Sequence, residues 1–225
     1  MSGDYDFEPV RGLPARLPPG ETLVWQGSPE WRSLAVHAFH VRKVIVYFVL
    51  LAIWSVTSAW IDGRTLAEAL SSIVWVAPMA LAAVALLGTL AWLSARTTVY
   101  SITSRRLVMR IGIALPITIN VPFRAVDSVG LKRHADGSGD IPASLPKGYR
   151  LAFLVLWPHA RPWHVRSPQP MLRSVPDVER VAGLLVDAIS TAAAQAPKPL
   201  PQEAHEPARQ PVQPASATAP VSAAA

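Results

Sequence analysis

Two stretches decide the fold: Val44 to Ile61, VIVYFVLLAIWSVTSAWI, and Ile73 to Leu93, IVWVAPMALAAVALLGTLAWL. Neither contains a charged side chain. At about 1.5 Å of rise per residue, helices over these runs reach roughly 27–31 Å, the thickness of a bilayer's hydrocarbon core. Two membrane-spanning helices follow. The alternative is a helix pair buried in a large soluble core, but a chain of 225 residues with 22 prolines has little other material to cover such a pair on all sides. Trp60 and Trp75 sit at the ends facing the short connection and Trp92 near the far end of the second run, where an interfacial aromatic belt belongs. Trp54, in mid-run, is expected to pack between the helices. Ala77, Ala80, Val84, Gly88 and Ala91 trace a narrow face that allows close helix approach, although the abundance of alanine explains it equally well.

Charge sets the orientation. The connection Asp62 to Ser72 carries Arg64 against Asp62 and Glu68, whereas Arg32, Arg42 and Lys43 precede the first run and Arg96, Arg105, Arg106 and Arg110 follow the second. Basic residues near membrane ends stay in the cytoplasm, so both termini are expected there. The connection is expected to be too short to fold. A net charge of +6 could signal nucleic acid, but these cations cluster beside membrane ends, where topology and attraction to anionic head groups explain them. The expected partner is membrane lipid, with no nucleic acid. The chain has no cysteine, which excludes disulfides, thiol catalysis and cysteine metal sites. No cleavable signal peptide is visible, so the first membrane run is expected to direct insertion.

In chain order, Met1 to Pro19 is acidic and then proline-broken, and should be extended. Gly20 to Gly27 has strand character. Ser28-Pro29-Glu30 reads as a helix start, with Trp31, Leu34, Ala35 and Ala38 at helical spacing and a basic border, hence a helix lying in the membrane interface. After Ala95 the period changes to two. Tyr100 and Ile102, then Leu107, Met109, Ile111 and Ile113, then Ile117, Ile119 and Val121 predict an antiparallel meander with one buried face. A fourth strand is expected over Val126 to Lys132, a long loop over His134 to Gly148, a strand covered on both faces over Leu151 to Trp157, and a last strand over Trp163 to Arg166. Ser174 is expected to start a helix whose stripe of Val178, Val181, Ala182, Leu185, Ala188 and Ile189 docks on the sheet. From Ala194 onward the Ala, Pro and Gln composition predicts a disordered tail.

Gly20-Glu21, Trp25-Gln26-Gly27 and Pro29 before the first membrane run, with Thr98, Tyr100, Ile102-Thr103, Arg106-Leu107 and Gly112 after the second, resemble the bacterial pleckstrin-homology-like (PH-like) membrane proteins. A closer resemblance, to the photosynthetic-complex assembly proteins of purple bacteria within that group, lies in Asp6 to Pro14, in Trp157-Pro158-His159-Ala160-Arg161-Pro162-Trp163 and in Pro168 to Arg173. It covers roughly Asp4 to Ile189. The resemblance implies an α+β membrane protein: a two-helix transmembrane hairpin plus a cytoplasmic PH-like antiparallel β-barrel, partly open and capped by the C-terminal helix. The division expected is an extended segment 1–28, an interfacial helix 29–43, the hairpin 44–93, the PH-like domain 96–193 and the tail 194–225. It also implies a non-enzymatic role in assembling the reaction centre and core light-harvesting complex, with photosynthetic subunits or other assembly factors as partners. A homodimer is compatible with the sequence.

Neither membrane run contains a histidine to hold pigment. His37 and His40 are expected to be solvated or to face head groups, and two histidines do not complete a metal site. His159 and His164 are separated by Pro162. Asp127, Asp136 and Asp140 have no obvious histidine or carboxylate partner, and no Gly-rich phosphate loop, nucleophile elbow or zinc-binding helix is present. No enzyme activity, cofactor or metal is therefore expected. Tryptophan and arginine are frequent binding hot spots, and Trp157, Arg161 and Trp163 in their proline-bounded segment are the candidate partner contacts, the alternative being that both tryptophans are core. Arg42, Lys43, Arg105 and Arg106 are the candidate membrane-surface residues; Arg105 and Arg106, with Arg110, carry the competing reading, a module that binds anionic lipid head groups.

Overall fold

The computed structural model describes residues 12–71, 73–146 and 152–195. Its elements are β1 (Leu23–Gly27), α1 (Trp31–His37), α2 (Val41–Ile61), α3 (Leu66–Ser71), α4 (Ile73–Thr97), β2 (Val99–Thr103), β3 (Arg106–Ile111), β4 (Ile117–Pro122), β5 (Ser128–Val129), β6 (Lys132–Arg133), β7 (Gly139–Ser144), α5 (Phe153–Leu156), β8 (Met171–Val175) and α6 (Val178–Gln195).

The apolar runs form α2 and α4, which pack side by side, and both are long and apolar enough to cross a membrane. Their outer surfaces are bare: Leu81 is 71% exposed and Trp54 73%. A pair of soluble core helices would be covered there, and Trp54 points outward rather than between the helices as expected. A Cβ on Gly88 would meet nothing within 4 Å, so close helix approach does not require that glycine. The connection between them does fold. Thr65 and Glu68 form a reciprocal capping box, in which the Thr65 N–H donates to Glu68 Oε2 at 2.9 Å and the Glu68 N–H to Thr65 Oγ1 at 3.3 Å, and this box starts α3.

The expected interfacial helix 29–43 is broken in two. His40 takes a left-handed conformation, φ 56°, between α1 and α2. α1 does not lie free in the interface: Leu34, Ala35 and Phe39 form an apolar cluster with Ala91 and Ala95 of α4. Its N-cap is Glu30 rather than Ser28, and the Glu30 N–H donates to the Ser174 carbonyl at 2.8 Å.

The meander forms a sheet of order β1-β2-β3-β4, all antiparallel, with Trp25 opposite Ile102, Val99 opposite Arg110 and Met109 opposite Ile119. A second sheet has β7 at its centre, β8 on one side and β5 and β6 in succession on the other. The two sheets do not close into a barrel. Between them Tyr100, Ile102, Leu107, Ile141, Leu156 and Leu172 form one core, which α6 completes with Val178, Val181, Ala182, Leu185 and Ala188 buried and Ile189 packed alongside.

The second sheet departs most from expectation. The strand expected over Val126 to Lys132 is two short pieces, β5 and β6. The stretch expected to be a loop contains β7, because Gly137, φ 80°, turns the chain and the His134 N–H donates to the Ser138 carbonyl at 2.8 Å. A Cβ on Gly139 would run into the Lys132 carbonyl oxygen and the Val178 methyls, so the glycine that suggests a loop is what lets β6 and α6 close on β7. Residues 153–156 form the single turn α5 rather than a strand: Leu156 is buried and Leu154 is 86% exposed, so the run is not covered on both faces. Trp163 to Arg166 is not a strand. Ser174 lies inside β8 instead of capping a helix, and α6 begins at Val178. The tail beyond Gln195 and the whole segment before Gly12 lie outside the described residues.

Candidate functional site

The chain between α5 and β8 is threaded through the core by His159, whose side chain is fully buried. Its Nδ1 lies 2.7 Å from the Tyr100 hydroxyl and its Nε2 3.1 Å from Thr98 Oγ1 and 3.5 Å from Ser94 Oγ. The Tyr100 oxygen also accepts the Arg173 N–H at 3.1 Å. The phenol therefore donates its proton to Nδ1, and the network assigns a neutral imidazole protonated on Nε2. Burial, helped by the nearby Arg173 charge, pushes the His159 pKa down to about 3. Burial likewise pushes the Tyr100 hydroxyl up. Arg173 reaches across, Nη1 donating to the Pro158 carbonyl at 3.0 Å and Nη2 to the His37 carbonyl at 3.2 Å. The network locks β2, β8, α1 and the end of α4 together; Tyr100 and His159 are closed to solvent, while Arg173 is half-buried.

A second polar cluster joins α1 to the β6–β7 turn. His37 stacks on His134 with ring centroids 3.7 Å apart and 9° between planes, so His37 is half-buried with one ring face covered rather than fully solvated. Burial first, then the neighbouring His134, lowers its pKa. His134 Nε2 lies 3.3 Å from Asp140 Oδ2, off-axis for a hydrogen bond, so Asp140 does have a histidine partner. Ser33 Oγ meets Ser138 Oγ at 2.5 Å, and Ser138 donates to Asp136 at 2.7 Å, which holds that carboxyl below its ordinary range. Ser33, Ser138, His134 and Asp140 are all buried, and the cluster fastens α1 to the second sheet. Among the described residues no three His, Cys, Asp or Glu side chains converge as a metal site.

The surface features differ from both buried clusters. A groove of about 530 Å³ lies against the second sheet, lined by Lys132, Pro142, Arg161, Trp163, Met171 and Arg173 among others, with Asp140 at its wall. Arg161 is held in place, its Nη1 donating to Gln169 Oε1 at 2.9 Å. Trp163, at φ 66°, is 95% exposed. Arg161 and Trp163 are thus brought together. Trp157 is not among the groove residues: it is 54% exposed and lies edge-on to Phe39, with centroids 5.5 Å apart. Neither tryptophan is core.

The membrane-surface candidates separate as well. Arg42 and Lys43 are exposed in the first turn of α2. Arg105 and Arg106 sit in the β2–β3 turn, at the end of β2 remote from α4, roughly 15 Å of strand away. Arg106 is engaged there, its Nε 2.7 Å from the buried Glu21 carboxylate. Arg110 is opposite Val99, near the end of α4, and is buried. Arg96, which the sequence marks as a basic residue flanking the second run but which is not among the membrane-surface candidates, is exposed in the last turn of α4 with its guanidinium 5.3 Å from the Trp92 ring. Sequence reasoning missed the partners Tyr100, His159 and Arg173, for which the only signal was the inward position of Tyr100.

Residues 32–189 match the bacterial PH domain family, and the chain belongs to that family. Within it, the chain is 40% identical over 187 residues to an uncharacterized 23.7 kDa protein in the puhA 5′ region of Rhodobacter capsulatus; the alignment covers 82% of this chain and 87% of the relative. No solved structure matches.

Proposed function

We propose that this protein is a non-enzymatic membrane assembly factor for the photosynthetic reaction centre and core light-harvesting complex. The observation that carries the proposal is the extensive identity to a relative encoded beside puhA, in a photosynthesis gene region. The α2–α4 pair anchors it. The bare apolar surface of both helices supports this, and Leu23 pairs with Thr103 across the whole hairpin, so a membrane crossed by α2 must be crossed back by α4. With Arg42, Lys43 and Arg96 at the paired ends, those ends are cytoplasmic. The PH-like domain then works on the cytoplasmic face through protein contacts, and the groove with Arg161 and Trp163 is the surface offered to a photosynthetic subunit or another assembly factor.

The test is deletion of the gene in a phototrophic host, with photosynthetic complexes and bulk membrane lipid both quantified. Selective loss of the complexes, restored by the wild-type gene, is the expected result; unchanged complexes overturn the proposal. The alternative, recognition of anionic head groups through Arg105 and Arg106, has less support because Arg106 is already paired with Glu21.

A further inference from the structure

We infer that α5 and the β3–β4 turn form a lipid-embedded lip, a second and monotopic contact with the bilayer beside the hairpin. The inference rests on the anchored reading above. Two apolar tips carry it. In α5, Phe153 and Leu156 turn toward the core, and Leu154, Val155 and Trp157 are left 86%, 40% and 54% exposed. In the β3–β4 turn, Leu115 is 79% exposed and Ile113 43%. Neither Ala152 to Pro158 nor Ile111 to Ile117 contains a charged side chain.

Both tips are fixed at the level of the hairpin's paired ends. Trp157 lies against Phe39, two residues before α2, and Phe39 belongs to the apolar cluster containing Ala91 and Ala95 of α4. Two residues on, His159 is bonded to Thr98 and approaches Ser94, in the last turn of α4 and just beyond it. On the other side, Val99 pairs with Arg110 and β3 contacts α4, so the β3–β4 turn lies at the end of the first sheet where β2 follows directly on α4. The opposite end of the same sheet carries Ser104-Arg105-Arg106 instead. One end of the domain is apolar, and it is the end from which the hairpin emerges.

The occupant is the bilayer rather than a protein, because the hairpin brings lipid to this end and the surrounding cations, Arg42, Lys43 and Arg96, suit anionic head groups. Leucine and tryptophan at an interface beside such cations is the composition of a monotopic contact, and an exposed apolar patch in water calls for a covering surface.

The chain has no cysteine, so single cysteines can be introduced into the full-length protein. Leu115→Cys, Leu154→Cys, Leu81→Cys in mid-α4 and Arg105→Cys in the charged turn are each labelled with an environment-sensitive fluorophore. Each is reconstituted in phosphatidylcholine/phosphatidylglycerol vesicles. The labels at 115 and 154 should be blue-shifted, lose emission to lipids carrying a nitroxide near the head group, and resist aqueous iodide, while 81 responds to deep nitroxides and 105 to iodide. Iodide access at either 115 or 154 equal to that at 105, with 81 still deep, overturns the lip and leaves the anchor standing. Loss of the deep signal at 81 overturns the anchor and the lip with it. Protection of 115 and 154 in native membranes but not in vesicles assigns the surface to a protein partner and overturns the inference.

Discussion

The Tyr100 hydroxyl stands 2.7 Å from His159 Nδ1 and 3.1 Å from the Arg173 N–H, so a single oxygen holds both the chain before β8 and β8 itself against the first sheet. Tyr100→Phe keeps the ring and leaves a buried imidazole nitrogen and a buried amide unpaired. At roughly 1–3 kcal/mol for each orphaned group, the variant should melt clearly below wild type in detergent micelles, with α2 and α4 intact by circular dichroism. An unchanged melting temperature would show that the oxygen is dispensable.

The same histidine makes stability depend on pH. Its folded pKa of about 3 lies below the ordinary 6.5, so between those values the unfolded chain binds a proton that the native state refuses. Stability therefore rises with pH through that window: the contribution is full above 6.5 and lost as pH falls toward 3. The shift corresponds to an effect on the order of 5 kcal/mol. Melting temperatures recorded from pH 7 down to pH 4 should fall, and His159→Asn should flatten the dependence even though it lowers stability at every pH. A variant with the wild-type slope would assign the titration to other groups.

The hairpin and the meander are the parts most legible in the sequence, because a charge-free run of membrane length and a period of two report burial directly, one residue at a time. The second sheet is not legible, for a physical reason visible in β7. Gly139 and Pro142 carry the composition of a loop, yet Gly139 is demanded by the close approach of Lys132 and Val178, a contact that exists only in three dimensions. The buried networks hide for a related reason: Tyr100, His159 and Arg173 are 59 and 73 residues apart in sequence, and no local pattern joins them. At the candidate site, the proline-bounded segment places Trp163 on the surface with Arg161 half-buried in the same groove, while a one-turn helix takes Trp157 to a different neighbourhood.

Gly139→Ala should destabilise the protein by about 1–3 kcal/mol, the usual penalty for overpacking, since the added methyl meets a backbone oxygen that cannot move without β6. Gly88→Ala, with open space around it, should leave the melting temperature unchanged. The two variants, compared in the same micelles, separate a packing glycine from an incidental one. Equal effects would contradict the close approach at β7.

Trp163→Ala with Arg161→Ala should alter stability by no more than about 0.5 kcal/mol, as expected for surface positions, because Trp163 is 95% exposed and Arg161 gives up one hydrogen bond, to Gln169. Photosynthetic complex assembly should nonetheless fall. Normal assembly at normal protein abundance would remove the groove from the proposed function.

Arg64→Cys, in the connection between the two apolar helices, and Arg105→Cys, in the sheet, should react with a membrane-impermeant thiol reagent from opposite sides of sealed membranes. Labelling of both from one side would refute the two-crossing anchor.

The pairing of β1 with β2 also governs the order in which the protein can be made. Leu23 leaves the ribosome 80 residues ahead of its partner Thr103, with both apolar helices between them. The first strand must therefore wait, unpaired, until the hairpin and the second half of the domain have followed it. A fragment beginning at Thr98 would lack both β1 and α1, leaving the edge of β2 open. On the proposed anchoring, targeting thus comes before domain folding.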